Sequence, residues 1–294
     1  MEVANESPGI EPLTAADLPL ALALSEAANW NQNRRDWQTM LALGQGFGIR
    51  APSLLHGERR LAASALVLPY GDTFGWISMV LVLPEFRRRG HATTLLQHCM
   101  RHLRAAGRIA VLDATPAGRE VYRRLGFVDT WTFARHRREA GAHRPDSTPV
   151  AGLRALNESD WPRITEIDTP AFGADRVALL RALAARWPQG ARVVERGGRL
   201  RGYAFGRDGR EAHQIGPVIA DEPAVAQALI ASALQVAPGA VYLDLLDARA
   251  ALLGPWLQQQ GFVLQRPFTR MVLGAGSAPG EPGRIWAVAG PELG

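Results

Sequence analysis

The chain has 294 residues, 47% of them hydrophobic and 21% charged, with a formal net charge of +5. That composition excludes a disordered polymer, and the length allows one large domain or two of ordinary size. A single cysteine, Cys99, excludes an internal disulfide and any multi-cysteine metal site. The positive excess is accounted for by a small anionic ligand as readily as by nucleic acid.

At the N-terminus, Glu2 and Glu6 stand with no basic start and no apolar core, so no secretory signal is read. The most apolar stretches, around 18–24 and 224–234, are too short to cross a membrane. The expected location is the cytoplasm. Ile10-Glu11-Pro12-Leu13-Thr14-Ala15-Ala16-Asp17-Leu18-Pro19 reads as a strand followed by an N-capping turn and a helix, with residues 17–29 helical. A second helix is predicted over 33–43, then a hairpin of strands 61–68 and 75–83 closed around Pro69-Tyr70-Gly71-Asp72. The apolar run Trp76–Val82 suits a buried strand and leads straight into Leu83-Pro84-Glu85-Phe86-Arg87-Arg88-Arg89-Gly90-His91-Ala92. A helix over 90–105 follows. A basic, glycine-containing turn that opens a helix gathers free backbone N–H groups and positive charge in one place, which suits a phosphate or diphosphate. A strand at 109–113, a helix at 117–125 and a strand at 127–135 complete an α/β unit with a mixed sheet.

The pattern then repeats. Leu153–Pro162 echoes Ile10–Pro19, with Asp160 standing 143 residues after Asp17, and Gln260-Gly261-Phe262 echoes Leu125-Gly126-Phe127 at an offset of 135. Similar offsets at both ends of the unit indicate two copies of one domain, 1–140 and 150–294. The join is expected in Arg138–Pro149, where Gly141, Pro145, Asp146, Ser147 and Pro149 cluster. After a loose Gly/Pro-rich stretch at 274–283, Ile285-Trp286-Ala287-Val288 reads as a strand or docking peptide.

Arg87-Arg88-Arg89-Gly90-His91-Ala92 resembles the signature of the GNAT superfamily of acyl-CoA-dependent N-acetyltransferases. That signature is Gln or Arg, two free positions, Gly, one free position, then Gly or Ala. Tyr122-Arg123-Arg124-Leu125-Gly126-Phe127 is similar to the family's later motif, a tyrosine shortly before Leu-Gly-Phe. The resemblance covers about 10–137 well and 150–272 in outline. It implies two tandem GNAT-like domains of mixed-sheet α/β fold. In the first, the amides and side chains of Arg87, Arg88, Arg89, Gly90, His91, Ala92 and Thr93 would bind the diphosphate of acetyl-CoA. The backbone of Met79, Val80, Leu81 and Val82, on the strand that splays from its neighbour in this family, would meet the pantetheine arm. Tyr122 would protonate or hydrogen-bond the departing thiolate. Trp30-Asn31 with Asp36 is similar to a bacterial tandem-domain group, and Trp30 and Asp36 become candidate acceptor-site residues. Asp36, Asp72 and Asp113, or a water relay, are the candidates for the base.

The second copy departs from the pattern. Asp221-Glu222 replaces the basic turn, and Gly254-Pro255-Trp256-Leu257 replaces the tyrosine region, so it is expected to be degenerate, a scaffold or a wall of the acceptor pocket. The function implied is acetyl transfer to a primary amine, of a small molecule or a protein, with an acyl-CoA-binding sensor as the alternative. No metal, nucleic-acid or membrane partner is expected, and the chain is expected to be a monomer or a homodimer. His98 and His102, four apart on a helix, lack a surrounding metal motif. Arg135, Arg137, Arg138 and Arg144 lack the aromatic interleaving of a nucleic-acid surface.

Overall fold

The computed structural model describes residues 9–52, 59–141 and 150–294. Glu2, Glu6 and residues 142–149 of the expected linker, Arg144 included, lie outside the described residues. The chain divides into two compact units, the first ending at Ala110 and the second beginning at Val111.

In the first unit, Ile10–Leu13 (β1), Gln45–Pro52 (β2), Arg59–Tyr70 (β3) and Phe74–Val82 (β4) pair antiparallel in that order. Two capping boxes start the first helices. The Asp17 carboxylate accepts from Thr14 N at 2.8 Å ahead of Leu18–Ala27 (α1), and that of Asp36 accepts from Asn33 N at 2.8 Å ahead of Arg34–Leu43 (α2). The third helix, His91–Ala105 (α3), lays Leu95, Leu96, Cys99 and Leu103 on β3 and β4, and all four are buried. Each buried leucine contributes about 1.5–3 kcal/mol, enough to fix the start of α3 at the end of β4.

The second unit holds most of Ile109–Ala114 (β5), then Pro116–Arg124 (α4), Val128–Arg138 (β6), Leu153–Ala155 (β7), Trp161–Phe172 (α5), Val177–Arg186 (α6), Arg192–Arg196 (β8) and Arg199–Arg207 (β9). His213–Ala220 (β10), Pro223–Val236 (α7), Val241–Leu246 (β11), Ala250–Gln259 (α8), Phe262–Leu273 (β12) and Ile285–Ala287 (β13) follow. Its strands run in the order β5-β12-β6-β11-β13-β10-β9-β8-β7. The sheet is mixed, because β10 and β11 pair in parallel while β6, β9 and β13 pair antiparallel with their neighbours.

The compact units do not follow the 140/150 division drawn from the repeat. The physical reason is β6, which belongs to the first copy in sequence but pairs with β12 of the second along its length and with β11 over Phe133–Arg138. Three further differences are local. Gln45–Pro52 forms a strand where none was predicted. The hairpin turn lies at Gly71–Thr73, because Tyr70 stays in the strand, buried against Phe74 and Trp76. The helix predicted over 17–29 is a 3-10 turn, Ala15–Asp17, followed by the shorter α1.

Candidate functional site

The β4 strand carries an irregularity at the residues the sequence singled out. Ser64 pairs with Leu81 and Leu66 with Ser78, so Met79 and Val80 stand opposite the single residue Ala65. Met79 takes a left-handed backbone, φ 51°, at a cost of roughly 1–2 kcal/mol for a residue with a side chain. The buried Ser64 hydroxyl donates to the Met79 carbonyl at 2.8 Å and holds the bulge. Side chains of Met79 and Leu81 are buried in the core, and those of Val80 and Val82 are half-buried. The bulge takes the main chain of Met79 and Val80 out of register with β3.

The segment after β4 makes a 3-10 turn, Pro84–Phe86, and then alternates its backbone hand. Arg88 is left-handed at φ 61° and Gly90 at φ 81°. Successive N–H groups in such a run face one concavity, an arrangement suited to anions. Gly90 is the N-cap of α3 and has no side chain to cap it, so the amides of His91, Ala92 and Thr93 are left without intrahelical partners. A Cβ on Gly90 would meet no atom, so its backbone conformation, not crowding within the chain, calls for glycine. The positive end of a four-turn helix adds to the field there.

The three arginines differ. Arg89 donates to Glu85 O at 2.9 Å and lies over the Phe86 ring, and Arg87 reaches Val82 O at 3.4 Å. Arg88 makes no hydrogen bond or ion pair to a described residue, and all three side chains are exposed. His91 is half-buried; burial, then the charge of Arg89, lowers its pKa and favours the neutral ring.

Asp36, a candidate acceptor residue, is buried and serves the capping box of α2, while Trp30 is half-buried just ahead of it. Cys99 is buried in the core, which pushes its thiol up to about 12 and removes it as a nucleophile. His98 and His102 pack edge-on against Phe47. Among the described residues no group of three or more His, Cys, Asp or Glu is placed to hold a metal ion, and no helix is long and apolar enough to cross a membrane.

In the second unit, Tyr122 sits on α4 with its ring 6.1 Å from that of Phe127. The residue is half-buried overall, yet its hydroxyl is desolvated enough to push the phenol up to about 12. That hydroxyl makes no hydrogen bond to a described residue, so it is a protonated, uncommitted donor at neutral pH. Its helix is anchored by Asp129, whose carboxyl the Arg119 and Arg123 guanidinia hold down to about 2.

Asp113 is committed elsewhere. It accepts both ends of the Arg270 guanidinium at 2.9 Å, and Arg270 lies 3.9 Å over the Trp131 ring. Burial raises the Asp113 pKa even against Arg270. Asp72 is exposed on the hairpin turn, 3.5 Å from Arg108. The basic residues near the expected linker are likewise engaged. Arg135 is buried in a bidentate pair with Asp244 at 2.8 and 2.7 Å, Arg138 donates to Gln260 O, and Arg137 pairs with Glu139. The turn after β10 carries Asp221 and Glu222, and both meet arginines: Arg201 reaches each at 3.3 Å, Arg196 reaches Glu222, and Arg284 reaches Asp221. Sequence reasoning missed Ser64 and the Asp113–Arg270 pair, since neither lies in a motif and the second joins residues 157 apart in the chain.

Two family models match in tandem. One described as the acetyltransferase (GNAT) family matches residues 25–127, and one described as an acetyltransferase (GNAT) domain matches residues 164–287. The chain is 27% identical over 237 residues to the holothin acyltransferase of a Pseudoalteromonas species, covering 79% of this chain and 77% of that protein. It is 25% identical over 177 residues to an uncharacterized N-acetyltransferase of Bacillus subtilis, YitH, covering 60% of this chain and 62% of that one. A crystal structure of a candidate acetyltransferase from Pyrococcus horikoshii superposes with TM-score 0.78 at 20% identity, covering 100% of this chain and 98% of that chain. A tandem GNAT protein from the clavulanic acid biosynthesis pathway superposes with TM-score 0.62 at 15% identity, covering 92% of this chain and all of that one. At such identities these two structures speak for the fold.

Proposed function

From the premise that the chain belongs to the GNAT superfamily of acyl-CoA-dependent transferases, with two GNAT-like domains in tandem, we infer that it passes the acetyl group of acetyl-CoA directly to a primary amine. The observation that carries the reading is the left-handed turn at Arg88 and Gly90, which leaves the first amides of α3 unpaired directly after a bulged strand. Those amides fit a diphosphate, with Arg88 the arginine least committed to the protein itself. The main chain of Met79–Val82 fits an extended amide-bearing arm, whose hydrogen bonds need no particular side chain.

Acetyl-CoA brings an activated thioester, so the chain has to orient the amine, stabilise charge at the carbonyl oxygen and supply a route for protons. Tyr122 has the protonation state for the departing sulfur: a phenol near 12 keeps its proton at neutral pH and donates a hydrogen bond to a thiolate. Asp36, Asp72 and Asp113 each have another engagement described above, which favours a water relay for the amine's proton. Trp30 is retained as a candidate wall of the acceptor site, and Asp36 acts there through the start of α2. The acceptor is proposed as a small-molecule amine, and the second copy, which has neither the basic turn nor the tyrosine, as degenerate.

Calorimetric titration with acetyl-CoA, beside a variant with Arg87, Arg88 and Arg89 all changed to Ala, tests the reading. One equivalent bound per chain, weakened at least tenfold in the variant, supports it and licenses a screen of amines by CoA release. Unchanged affinity in a folded variant would refute the assignment of the turn.

A further inference from the structure

The second copy repeats the bulge of the first. On β10, Val218 pairs with Ala204 and Ile215 with Gly206, so Gly216 and Pro217 stand opposite the single residue Phe205, as Met79 and Val80 stand opposite Ala65 on β4. At the bulge β10 parts from β11. The two pair in parallel only where His213–Ile215 meets Val241–Leu243. Beyond that point their facing edges would expose unpaired N–H and C=O groups inside the protein, an arrangement folded chains avoid.

The chain's own residues fill the opening. Ala287 of β13 pairs with Val218 on one side and Leu245 on the other, Ile285 pairs with Ile219, and Val288 N donates to Asp244 O at 3.1 Å. Trp286 donates from Nε1 to Ala220 O at 2.9 Å and is covered by the Arg249 guanidinium, 4.8 Å above its ring. Ile285, Trp286, Ala287, Val288 and Ala289 are all buried. A Cβ on Gly216 would stand 2.0 Å from the Val288 carbonyl oxygen, so the bulge has room for this segment only as glycine. Further on, Glu292 pairs with Arg207 in the interior.

We propose that residues 285–289 are a built-in occupant of the slot beside the bulged strand of the second copy, and that this occlusion keeps acyl-CoA out of that half of the protein. The inference rests on the reading that the bulged strand is the one that meets acyl-CoA. Charge is the weaker barrier. Asp221 and Glu222 are matched by Arg196, Arg201 and Arg284, so the turn is not a bare acidic patch. The seated strand, by contrast, takes up the main-chain groups of both neighbours that a pantetheine arm would have to engage.

Hydrogen–deuterium exchange of the full chain, read by mass spectrometry with and without acetyl-CoA, tests this. Peptides spanning 285–289 and 213–220 are expected to exchange slowly in the free chain and at the same rate with acetyl-CoA present. Gly216→Ala is expected to speed exchange at 285–289 at least tenfold while leaving 61–103 unaltered. Trp286→Phe, a milder change that removes the bond to Ala220 and part of the indole's packing under Arg249, is expected to speed it at least fivefold, the equivalent of one ordinary hydrogen bond. Fast exchange at 285–289 in the free chain overturns the proposal. So does protection of 213–220 by acetyl-CoA, or a Trp286→Phe chain as slow as the parent. If acetyl-CoA protects no segment of either unit, the acyl-CoA reading of the first unit fails instead, and the seating of the strand is judged on the free chain.

Discussion

Two serines at the β4 bulge should respond in opposite directions to the same change. Ser64 donates to the Met79 carbonyl at 2.8 Å, whereas Ser78, also buried and across the sheet from Leu66, has a hydroxyl with no hydrogen-bond partner among the described residues. Ser64→Ala removes a hydrogen bond from a buried carbonyl, at about 1–3 kcal/mol, and with it the contact that offsets the left-handed strain at Met79. Ser78→Ala removes an orphan hydroxyl and should be neutral or stabilising by up to about 1 kcal/mol. Urea unfolding of both variants gives the stabilities. Titration with acetyl-CoA should show about tenfold weaker binding for Ser64→Ala, some 1.4 kcal/mol, if the bulge is the conformation the ligand needs. Binding by Ser78→Ala should stay near the parent's. If Ser78→Ala destabilises as much as Ser64→Ala, or Ser64→Ala binds like the parent, the bulge is not held as described.

Tyr122→Phe keeps the ring against Phe127 but loses the donor, so kcat should fall by roughly 10²–10⁴ with little change in KM for acetyl-CoA. Because the phenol is pushed up to about 12, the parent's pH–rate profile should show no limb from this group near neutrality. Asp113→Ala should cost about 3–5 kcal/mol by leaving Arg270 buried without its counter-charge, and adding Arg270→Met should recover most of that stability. A stable Asp113→Ala with abolished turnover would instead make Asp113 the base. The Arg119 and Arg123 guanidinia hold the Asp129 carboxyl down to about 2 in the folded chain, below its ordinary 3.8, so its contribution is full above 3.8 and is lost as pH falls through about 2. Acid unfolding of Asp129→Asn should accordingly be flatter across that window than the parent's, and parallel curves would refute the assignment.

The local signals in the first copy were legible because each carries its own physics. The helix predicted over 90–105 is α3 at 91–105 and the strand at 109–113 is β5 at 109–114; in the second copy, the apolar 285–288 contains the buried strand β13 at 285–287. Gln45–Pro52 was not legible, since Gly46 and Gly48 interrupt the side-chain pattern that marks a strand. Their role is to admit neighbours: a Cβ there would come within 2.5–3.0 Å of Leu41, Leu13 and Leu61 side chains. Tertiary pairing was invisible for the same reason. Nothing local to Val128–Arg138 announces that it pairs with Val241–Leu246 and Phe262–Leu273, so the repeat boundary and the compact units part company there. Asp36 looked like an acceptor-site acid and Asp113 like a free carboxylate, because sequence shows a charge without its partners.

The two bulges show how one backbone device serves different ends. Each places two residues opposite one at the same point of its copy, and each needs something to satisfy the main chain it disturbs. In the first copy that need is met at Met79 by the hydroxyl of Ser64, a small group within the sheet. In the second it is met by a whole strand, which requires glycine at 216 and brings a tryptophan, an isoleucine and a valine with it into the core. A strand seated by hydrogen bonds on both sides, by buried apolar surface and by its own chain competes with a free ligand at high effective concentration. On the reading proposed above, exclusion of acyl-CoA from the second copy need not begin with loss of its signature residues. With the slot filled, a basic turn and a tyrosine beside it would have no ligand to act on.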